Sequence, residues 1–141
     1  MISIRSYRDR DEPAVVALWE ACGLTRPWNP PAADIALLRG SGHGDILVAT
    51  RRDEIIGSVM VGHDGHRGWI YYLAVAPSRR RGGLGRRLMG AAEAWLRERG
   101  IRKLELMIRD TNTEVTAFYG RLGYRIEPVT VMSRWLDGIG R

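Results

Sequence analysis

The spacing of apolar residues along the chain changes period several times, and each change marks an element. Ile2, Ile4 and Ser6 alternate with Ser3, Arg5 and Tyr7, the period of a half-buried strand. Asp9 or Asp11 then stands where a helix cap is needed, with Glu12 and Pro13 in the first turn. Val15, Leu18, Trp19 and Cys22 share one face of that helix, which Gly23 ends, so Cys22 is expected in the core rather than as a nucleophile. Residues 24–31, LTRPWNPP, hold too much proline for a helix and too much aromatic surface for a plain linker. Arg26, Trp28 and Asn29 in this loop either wall a pocket, or Trp28 plugs the core beneath it. A second helix is predicted from about residue 32 to 39, with Ile35 and Leu38 on its apolar side.

Two β-rich runs, 45–50 and 55–62, flank the charged RRDE and read as a hairpin, and a second turn, HDGHRG, leads into a strand over 69–75. Helical spacing returns with Leu84, Leu88, Ala91, Ala92, Trp95 and Leu96 and stops at Gly100. Residues 103–108 alternate as a strand, so the unit is βαβ with parallel strands and a right-handed crossover. Asn112 precedes a short helix over 114–122; 124–126 and 129–136 are two further strands separated by Pro128, and the tail 137–141 is expected to fray. The expected fold is α/β (α+β), a single domain over 1–141 with about seven strands and four helices.

Composition narrows the chemistry only slightly. Lysine and arginine number 22 against 16 aspartates and glutamates, a net charge of +6, and all of these cations but Lys103 are arginines. Arginine suits planar, bidentate recognition of phosphate or carboxylate, which leaves nucleic acid, a nucleotide-bearing ligand or an acidic substrate open. A nucleic-acid module would interleave aromatics with cations on an exposed face, whereas the aromatics here fall mainly at core spacings. The single cysteine excludes an internal disulfide framework, and the absence of a signal-like or membrane-length apolar run leads to the expectation of a cytoplasmic protein that engages neither membrane nor nucleic acid. His63 and His66 lack partners at zinc-ligand spacing, so no metal is expected.

The informative stretch is the passage from the strand at 69–75 into the following helix. Arg80, Arg81, Gly82, Gly83, Leu84 and Gly85 match R-x-x-G-x-G, and glycines at a helix start let a pyrophosphate approach backbone N–H groups at the positive end of the helix dipole. A Rossmann turn is excluded because the third position of G-x-G-x-x-G/A is missing and antiparallel hairpins precede the turn. A P-loop is excluded because no G-K-[ST] follows.

Four motifs taken together, L-A-V-A-P at 73–77, R-R-G-G-L-G at 80–85, D-T-N at 110–112 and A-F-Y-G-R-L-G-Y at 117–124, resemble the GNAT superfamily of acetyl-CoA-dependent N-acetyltransferases. Within it, R-P-W-N and the stretch 64–75 resemble small bacterial YpeA-like members, and RimI-like protein N-terminal acetyltransferases share similar motifs. The resemblance implies a central, mostly antiparallel but mixed and splayed sheet. It also implies acetyl transfer from acetyl-CoA to a primary amine by direct attack in a ternary complex.

It assigns cofactor binding to Leu73, Ala74 and Val75 on the strand, to Arg80, Arg81, Gly82, Gly83, Leu84, Gly85 and Arg86 in the turn, and to Asn112 and Tyr119. Tyr119 is also the implied general acid for the departing thiolate. Acceptor binding is expected from Arg26, Trp28, Asn29 and Tyr72; for the base, Glu20, His63, His66 and a water chain ordered by Tyr72 are candidates, the water chain first. The acceptor is expected to be a small-molecule amine or a protein N-terminus, and the protein a monomer or homodimer. A catalytically silent acyl-CoA sensor is the alternative on the same fold.

Overall fold

Two apolar runs, Gly44–Arg51 and Glu54–His63, form the centre of the sheet because both of their faces are buried. Around them the computed structural model, which describes residues 1–138, orders the chain as β1 (Ser3–Ser6), α1 (Glu12–Ala21), α2 (Pro31–Ser41), β2 (Gly44–Arg51), β3 (Glu54–His63), β4 (Gly68–Val75), α3 (Leu84–Glu98), β5 (Leu104–Glu105) and α4 (Thr113–Arg121). The strands form one sheet in the order β1-β2-β3-β4-β5, antiparallel except for the β4–β5 pair. Arg52 and Asp53, both with positive φ, make the two-residue β2–β3 turn that matches strand twist.

Side chains alternate across β2 and β3, so each strand feeds two cores. Ile46, Val48 and Met60 join Tyr7, Val15, Leu18, Trp19 and Ile35 beneath α1 and α2. On the other face a Cβ at Gly57 would meet Leu84 and Leu88, and one at Gly68 would meet Leu96, so these glycines let α3 lie close on the strands. Asp11, at the start of α1, accepts a bidentate guanidinium from Arg5 (2.7 and 3.0 Å) and the Arg8 N–H (2.8 Å), which ties β1 to the helix entry.

The chain divides into two compact units, Met1–Met107 and the segment from Ile108 onward. All five strands lie in the first, and α4 is the regular element of the second. The sheet thus has five strands among the described residues, not about seven. The run at 103–108 pairs only through Leu104 and Glu105, and 124–126 and 129–136 form no strand. Val129, Thr130 and Val131 have strand propensity, but a strand exists only where a ladder partner is present, and Pro128 offers no N–H to one. Ile126, Val129, Val131 and Met132 accordingly stand exposed. Of the tail 137–141, residues 139–141 lie outside the described residues.

Candidate functional site

The geometry that sets this sheet apart is a bulge in β4. Ser58 pairs with Ala74 and Met60 with Tyr71, so Tyr72 and Leu73 together face Val59. Tyr72 takes φ 53°, a left-handed conformation that costs a non-glycine residue about 1–3 kcal/mol and persists only where its surroundings enforce it. Those surroundings are specific. Ser58 Oγ donates to the Tyr72 carbonyl (3.0 Å) and accepts from Trp19 Nε1 (2.8 Å). The Tyr72 ring stacks on Trp19 with centroids 3.8 Å apart and planes 9° from parallel. Its hydroxyl donates to Asp34 Oδ2 (2.6 Å), which also accepts from Asn29 Nδ2 (3.1 Å). Burial, then the hydrogen bond and charge of Asp34, push the Tyr72 phenol well above its ordinary value, so it stays a proton donor.

The bulge changes which way β4 faces. An unbroken strand would put residues 68, 72 and 74 on one face. Gly68 lies against Leu96 of α3, whereas Tyr72 and Ala74 belong to the core beneath α1 and α2. The backbone turns with the side chains. Gly68 N–H donates outward to Lys103 of the β5 side (2.8 Å), whereas past the bulge Ala76 N–H donates inward to Ile56 of β3 (2.8 Å). Alternating back from Ala76, the backbone groups of Val75 and Leu73 point away from β3. The β5 ladder stops at Trp69, so beyond that residue this edge of β4 has no strand partner among the described residues. The Val75 carbonyl takes Cys22 Sγ (3.4 Å) and Arg80 Nε (3.3 Å) there.

Past β4 the chain enters α3 through an exposed turn in which Arg81 (φ 68°) and Gly83 (φ 80°) are both left-handed. The first backbone bond into the helix runs from Arg87 N–H to the Gly83 carbonyl (3.1 Å), leaving the N–H groups of Leu84, Gly85 and Arg86 without partners inside the helix. Alternating backbone hands with free N–H groups at a helix N-terminus form an anion cradle. Arg80, Arg81 and Arg86 are exposed around it, while the Leu84 side chain is buried, leaving only its backbone to the turn.

In the second unit, Asn112 caps α4, its Oδ1 accepting from Val115 N–H (3.2 Å). Tyr119 is 6% exposed, with Phe118 and Tyr124 edge-on to its ring at 5.0 and 5.7 Å between centroids. Burial pushes its phenol up to about 12, so it keeps its proton at neutral pH.

A bulged strand with an open edge, followed by an anion cradle on the next helix, is an arrangement suited to a long ligand with a pyrophosphate, and the sequence matches the acetyltransferase (GNAT) family model over residues 8–124. The chain belongs to the GNAT acetyltransferase family. An acetyltransferase of Pectobacterium atrosepticum is 41% identical over 137 residues, spanning 96% of this chain and 97% of its own length. One from Sodalis glossinidius is 40% identical over 126 residues, 89% of each chain. Aminoglycoside N-acetyltransferase AAC(6')-Iy in complex with CoA superposes with a TM-score of 0.83 over 96% of this chain and 95% of its own, at 18% identity, a likeness of fold. The protein is accordingly an acetyl-CoA-dependent N-acetyltransferase. No helix among the described residues is long and apolar enough to cross a membrane.

Within this GNAT acetyltransferase the residues singled out from sequence are distributed unevenly. Tyr72 and Asn29 meet through Asp34. Arg26 instead spends its Nη1 on the carbonyls of Gly23 (3.0 Å) and Thr25 (2.7 Å), closing the end of α1. Trp28 is 49% exposed and plugs nothing; Trp19 fills the core instead. Ala74 is turned inward, with its methyl in the core and its backbone paired to Ser58, so only Leu73 and Val75 face the open edge.

His63 pairs with Gly68 at the far end of the hairpin, five residues or roughly 17 Å along β4 from Leu73, and His66 lies in the turn beyond it, which separates both from the bulge. Cys22 is half-buried against the core, as its helical face predicts. Asp34 and Ser58 were not singled out. Both lie inside regular elements, where the apolar pattern draws attention to the neighbours; a lone serine between Gly57 and Val59 in the otherwise apolar run 55–61 was the one signal on offer.

Proposed function

We propose that this enzyme acetylates a primary amine of a small molecule by direct attack in a ternary complex. The observation that carries the reading is the β4 bulge at Tyr72, which directs the backbone of Leu73 and Val75 to an open strand edge one turn ahead of the anion cradle. The N–H groups of the turn and the Arg80, Arg81 and Arg86 guanidiniums are suited to hold the pyrophosphate of the donor. Bound acetyl-CoA supplies an activated acyl group as its thioester. The Leu73 N–H, fixed before any ligand arrives, is a donor for developing negative charge on an acyl oxygen.

Tyr119 carries a proton on its Oη at working pH and is the group assigned to protonate the departing sulfur. Asn112 fixes the start of the helix that carries Tyr119. Asn29 and Tyr72, joined through Asp34, and the exposed Trp28 form the acceptor side. The half-buried Cys22, whose thiol is hydrogen-bonded to Val75, favours direct transfer over a covalent acetyl intermediate.

Calorimetry with acetyl-CoA and thiol release across amines test the reading. The panel is aminoglycosides, diamines, amino acids and a peptide N-terminus. Binding with release on small amines is expected. Binding without release on any amine would replace the reading with that of an acyl-CoA sensor, and preference for the peptide would replace the acceptor class.

A further inference from the structure

We propose that Asp34 is a positioning residue for acyl transfer, acting through the Tyr72 hydroxyl to hold the left-handed bulge that aims the Leu73 N–H at the open edge of β4. The proposal rests on the acetyl-transfer reading above. Tyr72 adopts a backbone conformation that its own side chain disfavours, so the residue must be held from outside. Three grips do this: Ser58 on its carbonyl, Trp19 across its ring, and Asp34 on its hydroxyl at 2.6 Å. Ser58 and Trp19 are fully buried parts of the sheet and α1. Asp34 differs, because it belongs to the first turns of α2 and is only half-buried.

The Asp34 hydrogen bonds point to the same role. Its Oδ2 takes Tyr72 Oη and Asn29 Nδ2, and among the described residues its carboxylate caps no backbone N–H of its own helix. An acidic residue in an early helical turn would ordinarily serve the helix end. Here it links α2 and the loop bearing Asn29 to a single tyrosine on the strand. The fold does not need that hydroxyl to bury the ring, since a phenylalanine would stack on Trp19 equally well. What the hydroxyl adds is a fixed ring direction, and through it a fixed Tyr72 φ.

The test uses full-length Asp34→Ala, Asp34→Asn, Tyr72→Phe and the Asp34→Ala/Tyr72→Phe double variant with the best wild-type amine. Asp34→Ala and Tyr72→Phe should each lower kcat by up to about 100-fold while the KM for acetyl-CoA stays within roughly threefold, the signature of lost alignment rather than lost binding. Asp34→Asn, whose amide oxygen still accepts from Tyr72, should recover most of kcat. The double variant should be no worse than the poorer single variant, because both act through one hydrogen bond.

Multiplying losses, an Asp34→Asn variant as poor as Asp34→Ala, or a loss confined to KM would overturn the proposal. Hydrogen exchange across 69–76 gives a readout independent of activity. Faster exchange there in Asp34→Ala and Tyr72→Phe, with β2 unchanged, is expected, and unchanged exchange would refute the link. A wild-type protein inactive toward every amine would overturn the transfer reading, and exchange alone would then decide whether Asp34 holds the bulge.

Discussion

Removing one oxygen from the centre of the sheet should be among the costliest small changes in this protein. Ser58 is 0% exposed, and its Oγ accepts from Trp19 Nε1 while donating to the Tyr72 carbonyl. Ser58→Ala leaves the cavity almost unchanged in size but strips both groups of their partner. Trp19 is fully buried and no water replaces the lost acceptor, which costs about 1–3 kcal/mol. The Tyr72 carbonyl belongs to a half-buried residue that solvent reaches in part, so its loss is closer to the net worth of one hydrogen bond, about 0.5–1.5 kcal/mol.

Together these give a destabilisation of roughly 2–4 kcal/mol, or on the order of 10 °C in Tm for a chain of this length. Urea unfolding followed by far-UV circular dichroism measures it, with an unchanged m value showing that the unfolded state is not what moved. Trp19→Phe in the Ser58→Ala background removes the orphaned donor, so the double variant should lose less than the sum of the singles. A Ser58→Ala shift below about 0.5 kcal/mol, the range of ordinary surface substitutions, would refute the claim that this network holds α1 and the bulge to the sheet.

Gly68→Ala should destabilise by about 1–3 kcal/mol by overpacking, because the added Cβ would lie 2.5 Å from Leu96 Cδ1 on a backbone already fixed by the Lys103 carbonyl. Leu96→Ala in that background should be less than additive in thermal unfolding, and full additivity would show that α3 does not press there. The Tyr119 phenol, raised from its ordinary value of 10.0 to about 12, is protonated in the folded state where the unfolded chain has already lost its proton. Its contribution is therefore complete below pH 10 and disappears as pH rises through about 12. Denaturation curves should show the wild type losing stability relative to Tyr119→Phe across that window, and parallel curves would contradict the burial of the phenol.

The sequence by itself determined the elements whose signal is local: the helices containing Val15, Leu18 and Trp19 and containing Leu84, Leu88 and Leu96, the β2–β3 hairpin, and the glycine turn into α3. Periodicity and turn chemistry are short-range properties, and each of these elements repeats its own pattern. The four-motif order was enough to indicate the family, since it too is a linear property.

Tertiary structure decided what pairs with what. The alternation at 129–136 has the composition of a strand, but a ladder needs a partner at the right distance and none forms among the described residues. Nothing in W-I-Y-Y-L-A-V announces that Tyr72 turns left-handed, because tyrosine is a poor residue for that conformation and only Ser58, Trp19 and Asp34, distant in sequence, hold it there. Asp34 is one polar residue on an unremarkable helix until the fold brings it 2.6 Å from a hydroxyl 38 positions away. The face of β4 that carries the proposed chemistry is therefore set by long-range contacts, whose partners no local pattern can name.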